Sequence, residues 1–303
     1  MTKLARPIII VGTGRCGSTV FHRQLAQHPQ VMWLAGFCDR YPSRPAWNRW
    51  AVSAIGNPLL RHLLGRKVQP GECYRFWDKY AYGFAEPCRD LVHTDLTPRV
   101  KRQVRAVFES MLTSRRNRLL LKLTGWPRVG YLDAMFEDAR FVHLIRDGRA
   151  VASSLLHVNF WTGWYGPQGW RAGLLSAEDQ AIWERHQRSF VALAALEWRI
   201  QMRAMEAARR SVDASRFLEI TYETYCAEPL QTIRRVLEFA DLSTSPEYER
   251  QLAATPIRSA NEGWRAALTE AQQGVLEEIL RDDLLRYGYD PAQPGRGALP
   301  AAG

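Results

Sequence analysis

The chain has 303 residues, a formal net charge of +10 and 46% hydrophobic residues, a composition typical of a globular protein large enough for an α/β domain. No stretch is apolar for long enough to cross a bilayer, and the first residues are too few and too polar for a signal peptide. No C-x-x-C pair is present, which argues against a metal site and a disulfide framework. We therefore expect reduced thiols and a cytoplasmic location for a chain whose cysteines are Cys16, Cys38, Cys73, Cys88 and Cys226.

The positive charge is concentrated in one part of the chain. Between Arg99 and Arg128 there are nine basic residues and a single acidic one, Glu109. This pattern fits a solvated basic helix face, and it also fits a groove for an anionic ligand. Because no nucleic-acid recognition motif accompanies the charge, we predict no nucleic-acid partner.

The first predicted elements are a strand, a glycine-rich loop and a helix. Residues 8–11 are all β-branched, which predicts a strand buried on both faces, and residues 20–27 have apolar positions at helical spacing. The backbone N–H groups of the loop between them form an anion cradle with the helix N-terminus. Residues 12–19 fit most of the P-loop pattern G-x-x-x-x-G-K-[ST], but Ser18 replaces the lysine. The loop therefore favours a ligand with a shorter 5′ anion over a nucleoside triphosphate.

The rest of the chain alternates between strands and helices. Apolar runs predict strands at 31–34, 119–123, 141–145 and 217–221. Helical spacing and capping residues predict helical pieces within 47–64 and helices at 98–111, 129–136, 147–156, 176 to about 210, 229–240 and 269–285. The predicted fold class is α/β and P-loop-like, with a central parallel sheet of about five strands and helices on both faces.

The predicted domain organisation is one domain, residues 1–290, followed by a flexible tail at 291–303. Residues 35–97 and 158–175 interrupt the alternation of elements, and we expect these insertions to shape a binding site. The second insertion is rich in aromatic residues from Trp161 to Trp170, which fits either a hydrophobic plug or a mobile lid.

Ligands of open parallel sheets bind at the carboxyl ends of the strands, and three such ends carry polar residues here. The first strand leads into the glycine loop, the third carries Lys122 near its end, and the fourth ends on Arg146. Ser154 follows Arg146 by two helical turns, so a guanidinium and a hydroxyl can hold one phosphate from two sides.

The loop at 14–19 after a first strand, together with Arg146 and Ser154, resembles the two nucleotide signatures of sulfotransferases. These enzymes use 3′-phosphoadenosine 5′-phosphosulfate (PAPS). The stretch 220–229 is similar to the family's strand-to-helix segment with a tyrosine beside the adenine. Residues 261–269 resemble the late tryptophan-basic segment that closes over the nucleotide, and Tyr287-Gly288-Tyr289 resembles the usual end of the domain.

This resemblance implies a PAPS-dependent sulfotransferase that releases adenosine 3′,5′-bisphosphate and needs no metal. The implied catalytic cation is Lys122, assisted by Arg15. The first signature implies that the 5′-phosphosulfate is held by Gly14, Arg15, Cys16, Gly17, Ser18 and Thr19. The remaining nucleotide contacts implied by the resemblance are Arg146, Ser154, Tyr222, Arg258, Trp264 and Arg265.

The general base is the missing part of the resemblance. Cytosolic members have a histidine two residues after the lysine, where this chain has Thr124, and tyrosyl-protein members have a glutamate after the second strand, where it has residues 35–37. The first insertion, which should face the acceptor, contains Asp39, Glu72, His93 and Asp95. Of these, His93 and Asp39 are the predicted candidates for the base.

The predicted acceptor is a hydroxyl of a small molecule, a glycan or a lipid, and the sequence favours no oligomeric state. Two other functions remain open. A P-loop kinase of a small metabolite would need a replacement for the missing lysine and acidic magnesium ligands. A non-catalytic basic protein that binds polyanions would leave the glycine loop without a role.

Overall fold

The computed structural model describes residues 3–56, 60, 62, 63, 65 and 68–289. The predicted flexible tail at 291–303 lies outside the described residues, as do parts of the predicted helical stretch 47–64. Within the part of the chain that is described, none of the helices is both long and apolar enough to span a bilayer.

A five-stranded parallel sheet forms the centre of the fold, in the spatial order β2-β3-β1-β4-β5. The strands are β1 Ile8–Gly12, β2 Val31–Trp33, β3 Arg118–Thr124, β4 Arg140–Ile145 and β5 Phe217–Thr221. In the register, Gly12 lies opposite Thr124 and Ile10 opposite Lys122, so the glycine loop leaves the sheet beside the end of β3. The predicted fold class and all five predicted strands are confirmed.

Helices surround this sheet. Those before β4 are Ser18–Leu25, Phe37–Arg40, Pro45–Ala54, Tyr74–Tyr80, Pro98–Met111 and Val129–Met135. After β4 the helices are Gly148–Leu155, Ala177–Arg185, Phe190–Arg209, Tyr222–Ala227, Pro229–Phe239, Pro246–Ala253, Gly263–Ala267 and Glu270–Arg286. One hydrophobic cluster joins all five strands to the helices of the first half and to those at 222–227, 229–239 and 246–253. A second cluster lies between the helices at 148–155, 190–209 and 270–286.

The predicted single helix from 176 to about 210 is wrong, because the structure has two helices there. Gln187 and Arg188 both have a φ of 56°, a left-handed conformation that ends the helix Ala177–Arg185. The Ser189 side chain then accepts a hydrogen bond from the backbone N–H of Ala192 and caps the next helix. A window of helical spacing continues across such a break, because the apolar positions on its two sides keep similar intervals.

The first part of the insertion at 35–97, from Ala35 to Pro70, starts and finishes beside β2. Ala35 and Pro70 form an isolated antiparallel bridge, and Gly71 N donates to Leu34 O at 2.9 Å. The chain therefore leaves the sheet after β2 and returns to the same place, immediately before Glu72.

Candidate active site

A cavity of 570 Å³ lies at the carboxyl ends of β1, β3 and β4. The glycine loop, Lys122 and Arg146 contribute to its wall from the sheet side. The two insertions contribute the rest, including Glu72 and Tyr74 from the first and Phe160 and Trp161 from the second. The cavity therefore contains the three strand ends that the sequence predicts, together with part of both insertions.

The loop requires glycine at two positions for different reasons. A Cβ at Gly12 would lie 2.6 Å from the carbonyl oxygen of Leu144, because β1 and β4 are adjacent there. Gly17 has a φ of 88°, and a Cβ on it would lie 2.4 Å from the ring of Tyr222. This close approach brings the tyrosine ring against the start of the helix Ser18–Leu25, where the loop N–H groups converge.

Lys122 and Glu72 form an ion pair within the cavity, with Nζ 2.7 Å from Oε1. The same ammonium donates to Thr19 Oγ1 at 3.2 Å, which ties it to the end of the glycine loop. Thr124 Oγ1 donates to Glu72 Oε1 at 3.0 Å. The side chains of Lys122 and Glu72 are only 9% and 18% exposed, so the pair is largely shielded from bulk water.

Arg146 organises the opposite side of the loop through three hydrogen bonds. Its Nη1 donates to the carbonyl of Arg15 at 2.8 Å, its Nη2 to the carbonyl of Ala260 at 2.7 Å, and its Nε to Asn261 Oδ1 at 2.9 Å. The guanidinium carbon also lies 4.6 Å from the centre of the Tyr222 ring. Arg146 thereby joins the glycine loop to the segment that begins near Arg258.

The sequence predicts that Ser154 acts together with Arg146, whereas the guanidinium that contacts Ser154 in the structure is that of Arg15, whose Nε donates to Ser154 Oγ at 2.9 Å. Arg15 has a φ of 65°, and its guanidinium lies 6.0 Å from the ring of Phe160. Asp147 caps the helix Gly148–Leu155, as its side chain accepts from the Arg149 N–H. This cap fixes the helix that carries Ser154.

A buried carboxylate supports the Arg146 side of the site. Glu223 accepts hydrogen bonds from Asn261 Nδ2, from the Tyr289 hydroxyl at 2.8 Å and from the backbone N–H of Asp147 at 3.2 Å. Burial raises the pKa of Glu223, and these hydrogen bonds oppose that shift. The sequence did not reveal this network, because its members come from four separate parts of the chain.

The late tryptophan segment is only partly in contact with the site. Arg258 is exposed, but its carbonyl accepts from the Tyr222 hydroxyl at 3.4 Å. Trp264 is 2% exposed and packs in the second hydrophobic cluster, with the Arg149 guanidinium 5.2 Å from its ring. Arg265 is exposed and stacks on the outer side of Trp264 at 4.7 Å. Neither Trp264 nor Arg265 lines the cavity in this structure.

Cys16 and Ser18 are two buried members of the glycine loop. Cys16 is fully buried and Ser18 is 4% exposed. Burial raises the pKa of the Cys16 thiol, which therefore stays uncharged near neutral pH. Ser18 lines the cavity, whereas Cys16 does not, which fits a packing role for the thiol.

Neither of the two predicted candidates for the base lies in the cavity. His93 is exposed in a short 3₁₀ helix, His93–Asp95. Asp39 lies in the helix Phe37–Arg40, where its Oδ1 accepts from the Arg75 N–H at 3.0 Å. Glu72, from the same insertion, is the carboxylate that the fold places beside Lys122. The sequence shows Glu72 as one of several acidic residues of the insertion. Only the return of the chain to β2 just before Glu72 distinguishes it from the others, because this return places it beside Lys122.

The far wall of the cavity combines aromatic rings with a buried carboxylate. Trp161 Nε1 donates to Glu197 Oε2 at 2.5 Å, and Gln201 Nε2 donates to Glu197 Oε1 at 3.0 Å. Burial raises the pKa of Glu197, with these two hydrogen bonds opposing the shift. Trp161 is 3% exposed, which makes this part of the 158–175 insertion a packed wall.

Comparisons with known proteins identify relatives of this chain. The model of the sulfotransferase family matches residues 7–246. The omega-hydroxy-beta-dihydromenaquinone-9 sulfotransferase Stf3 of Mycobacterium tuberculosis is 22% identical, over 98% of this chain and 79% of the relative. Human carbohydrate sulfotransferase 2 is 25% identical in an alignment 191 positions long. This alignment covers 50% of this chain and 35% of that protein.

Solved structures share the fold. Sulfotransferase STF9 from Mycobacterium avium aligns with a TM-score of 0.56 at 20% identity, over 92% of this chain and 77% of that one. Sulfotransferase STF1 from Mycobacterium tuberculosis H37Rv aligns with a TM-score of 0.52 at 19% identity, over 91% and 78% of the two chains.

Proposed function

This chain belongs to the sulfotransferase family, and we propose that its cavity binds PAPS on one side and an acceptor hydroxyl on the other. The enzyme class and the transfer of a sulfonate from PAPS follow from the family, so the kinase and polyanion-binding alternatives are set aside. The single observation that carries the residue assignment is the convergence of the glycine loop, Lys122 and Glu72 in one cavity.

The donor side is assigned to the glycine loop and to Arg146. The loop N–H groups suit the 5′ anion. The Tyr222 ring lies against Gly17 and offers an aromatic surface suited to a flat base. Arg146 and Ser154, joined through Arg15, suit the 3′-phosphate. Arg258, Trp264 and Arg265 remain proposals that require the 258–269 segment to move toward the nucleotide.

PAPS supplies an activated sulfonate attached to a 5′-phosphate. In the proposed reaction, Glu72 takes the proton of the acceptor hydroxyl as its oxygen bonds to sulfur. The bond from sulfur to the bridging oxygen of the 5′-phosphate breaks, and Lys122 stabilises the negative charge that develops on that oxygen. The ion pair of the resting site holds both groups in place, and Thr19 gives the ammonium an alternative partner toward the loop.

The acceptor side is assigned to the walls contributed by the insertions 35–97 and 158–175, within one catalytic domain of residues 1–290. Tyr74, Phe160 and Trp161 of these insertions, together with Trp126 from the connection after β3, provide ring surfaces that suit an acceptor with a flat or apolar body. Glu197 can accept a hydrogen bond from a second polar group of that acceptor. The relative Stf3 is named for a hydroxylated dihydromenaquinone, which supports a hydroxyl on a small molecule. A cytoplasmic location also remains our proposal.

Donor binding can be tested by calorimetric titration with adenosine 3′,5′-bisphosphate, with ATP and Mg²⁺ as a comparison. We expect micromolar binding of the bisphosphate and weak binding of ATP. Tight ATP binding without a preference for the 3′-phosphate would contradict the assignment of Arg146 and Ser154.

The assignment of Glu72 can be tested without knowing the acceptor. In the slow hydrolysis of PAPS, water replaces the acceptor, so the release of bisphosphate reports the same proton transfer. We expect Glu72→Gln to lower this rate by about 10²–10⁴-fold while bisphosphate binding is retained. Glu86→Gln is the matched control, because Glu86 also lines the cavity but pairs with Arg171 at 2.5 Å. Equal rates for Glu72→Gln and the parent protein would exclude Glu72 as the base.

A further inference from the structure

One helix of the first insertion presents a face of aromatic and basic residues to solvent. The helix Pro45–Ala54 buries Asn48, Ala51 and Val52 against the fold. Its outer face carries Trp47 and Trp50, which are 49% and 65% exposed although they are large aromatic residues. They are three positions apart in the sequence, so they lie on the same side of the helix. Such large exposed rings mark an interaction surface more often than a solvated one.

Arginines surround these rings. The Arg44 guanidinium lies 5.5 Å from the Trp47 ring, and Arg40 lies 5.6 Å from the ring of Tyr41, which is itself 43% exposed. Arg49 on the same helix is exposed. We call the surface formed by Arg40, Tyr41, Arg44, Trp47, Arg49 and Trp50 the aromatic–arginine face.

The charge of this segment has one sign only. From Arg40 to Gly71 the sequence contains six basic residues and no aspartate or glutamate. Several arginines elsewhere on the surface pair with carboxylates, as Arg234 does with Glu249 at 2.7 Å and Arg286 with Glu206 at 2.9 Å. The charge of the face thus matches an anionic surface, and an indole ring lies next to one of its arginines.

We propose that the aromatic–arginine face binds the surface of a membrane that contains anionic lipids. Indole rings partition into the headgroup region, while arginines next to them contact lipid phosphates, which is the pattern of helices that lie in a membrane interface. Trp47, Arg49 and Trp50 lie on the outer side of one helix, and the other residues of the face come immediately before it in the chain. Such a convex surface suits a flat lipid surface better than an inserted peptide.

The position of this segment in the chain connects the proposal to the active site. The chain reaches the face directly after β2 and returns through Pro70 and Gly71 to Glu72. Membrane binding would therefore hold the enzyme where a lipid with a hydroxyl group is available as acceptor. The membrane interaction itself does not depend on the nature of the acceptor.

Vesicle sedimentation with the full chain tests this proposal. Vesicles of phosphatidylcholine alone are compared with vesicles of phosphatidylcholine and phosphatidylglycerol. We expect binding only to the anionic vesicles, weakened by salt, because each arginine near such a surface contributes about fivefold to partitioning. Arg44→Glu/Arg49→Glu and Trp47→Ala/Trp50→Ala should each lower the partition coefficient by at least about tenfold.

Matched controls separate the face from the general positive charge. Arg235→Glu/Arg281→Glu makes the same change in net charge at two exposed arginines elsewhere, and Tyr82→Ala removes a ring that is 98% exposed outside the face. Both controls should bind vesicles within about twofold of the parent protein. Equal losses in the controls and in the face variants would overturn the proposal, because the net charge would then explain the binding.

Two other partners for the aromatic–arginine face, a second copy of this chain and an acidic protein, would give distinct experimental results. Either result would overturn the proposal. If the face joins two copies of this chain, sedimentation without lipid will show a dimer that Trp47→Ala/Trp50→Ala dissociates. If it binds an acidic protein, the chain will be retained on immobilised polyglutamate but will not sediment with anionic vesicles. Adenosine 3′,5′-bisphosphate binding, measured in every variant, shows whether the protein is folded and tests the donor site separately.

Discussion

Replacing Arg146 with alanine should weaken both nucleotide binding and the fold around the site. Arg146 is 7% exposed and donates three hydrogen bonds, to Asn261 Oδ1 and to the carbonyls of Arg15 and Ala260. It also lies over the Tyr222 ring at 4.6 Å. Alanine removes all of these contacts and leaves three acceptors without their donor.

The expected loss in the free energy of unfolding depends on which of these acceptors water can reach. Arg15 and Ala260 are exposed residues, so water can replace the guanidinium at their carbonyls. Asn261 is 2% exposed, and its oxygen stays unsatisfied at a cost of about 1–3 kcal/mol. With the lost stacking included, we expect unfolding to become easier by about 2–4 kcal/mol. This is less than the ~5–15 kcal/mol stability of a typical domain, so the variant should still fold.

Urea unfolding and calorimetric titration with adenosine 3′,5′-bisphosphate measure the two effects. We expect the stability loss given above and bisphosphate binding weaker by at least about 100-fold, since two charge-assisted hydrogen bonds to a phosphate are lost. Arg281→Ala is the control, because Arg281 is exposed and does not line the cavity, so it should change stability by less than about 0.5 kcal/mol and leave bisphosphate binding unchanged. An Arg146→Ala protein with unchanged stability and affinity would refute both the structural and the binding role.

Three further perturbations have defined outcomes. Gly17→Ala places a Cβ 2.4 Å from the Tyr222 ring at a φ of 88°, so calorimetry should show weaker bisphosphate binding, whereas Gly263→Ala meets nothing within 4 Å and should bind normally. Gln187→Gly relieves a left-handed residue with a φ of 56° and should raise the free energy of unfolding measured in urea by up to about 1 kcal/mol, and a fall would contradict this. Burial lowers the pKa of His22 from 6.5 to about 3, so between these values the unfolded chain binds more protons. The unfolding free energy should therefore fall as pH drops from 6.5 toward 3, by up to about 3 kcal/mol at pH 4, and His22→Asn should flatten this dependence.

The sheet could be predicted from the sequence because each strand carries its own signal. Residues 8–11 and 119–123 are continuous apolar runs, as expected for strands covered on both faces. The break at Gln187 and Arg188 could not be predicted in this way, since neither residue is a glycine and both adopt a conformation that local propensity disfavours. Local hydrogen bonds hold the break in place, since Arg188 N donates to the carbonyl of Trp183 at 2.9 Å and Trp183 Nε1 donates to that of Ser189 at 3.1 Å.

The same distinction applies to the site. The glycine loop, Arg146 and Ser154 lie in short motifs at strand ends, so the sequence could place them together, and Arg15 does contact Ser154. Glu223 and Asn261 are different, because each acts through a partner far away in the chain. Their types are ordinary for surface residues, and only their burial reveals that they hold Arg146 in place.

The proposed role of Glu72 would place in an insertion a function that is missing from the expected positions. The two places where related enzymes would carry a base hold Thr124 and residues 35–37, and neither contains a basic or acidic side chain. In the structure both places adjoin Glu72, since Thr124 donates to its carboxylate and Ala35 pairs with Pro70, two residues before it. The proposed reaction requires a carboxylate beside Lys122, and the sheet fixes the position of Lys122 whichever segment of the chain supplies that carboxylate. The length of the excursion between Ala35 and Pro70 is then free to vary, and in this chain it carries the aromatic–arginine face.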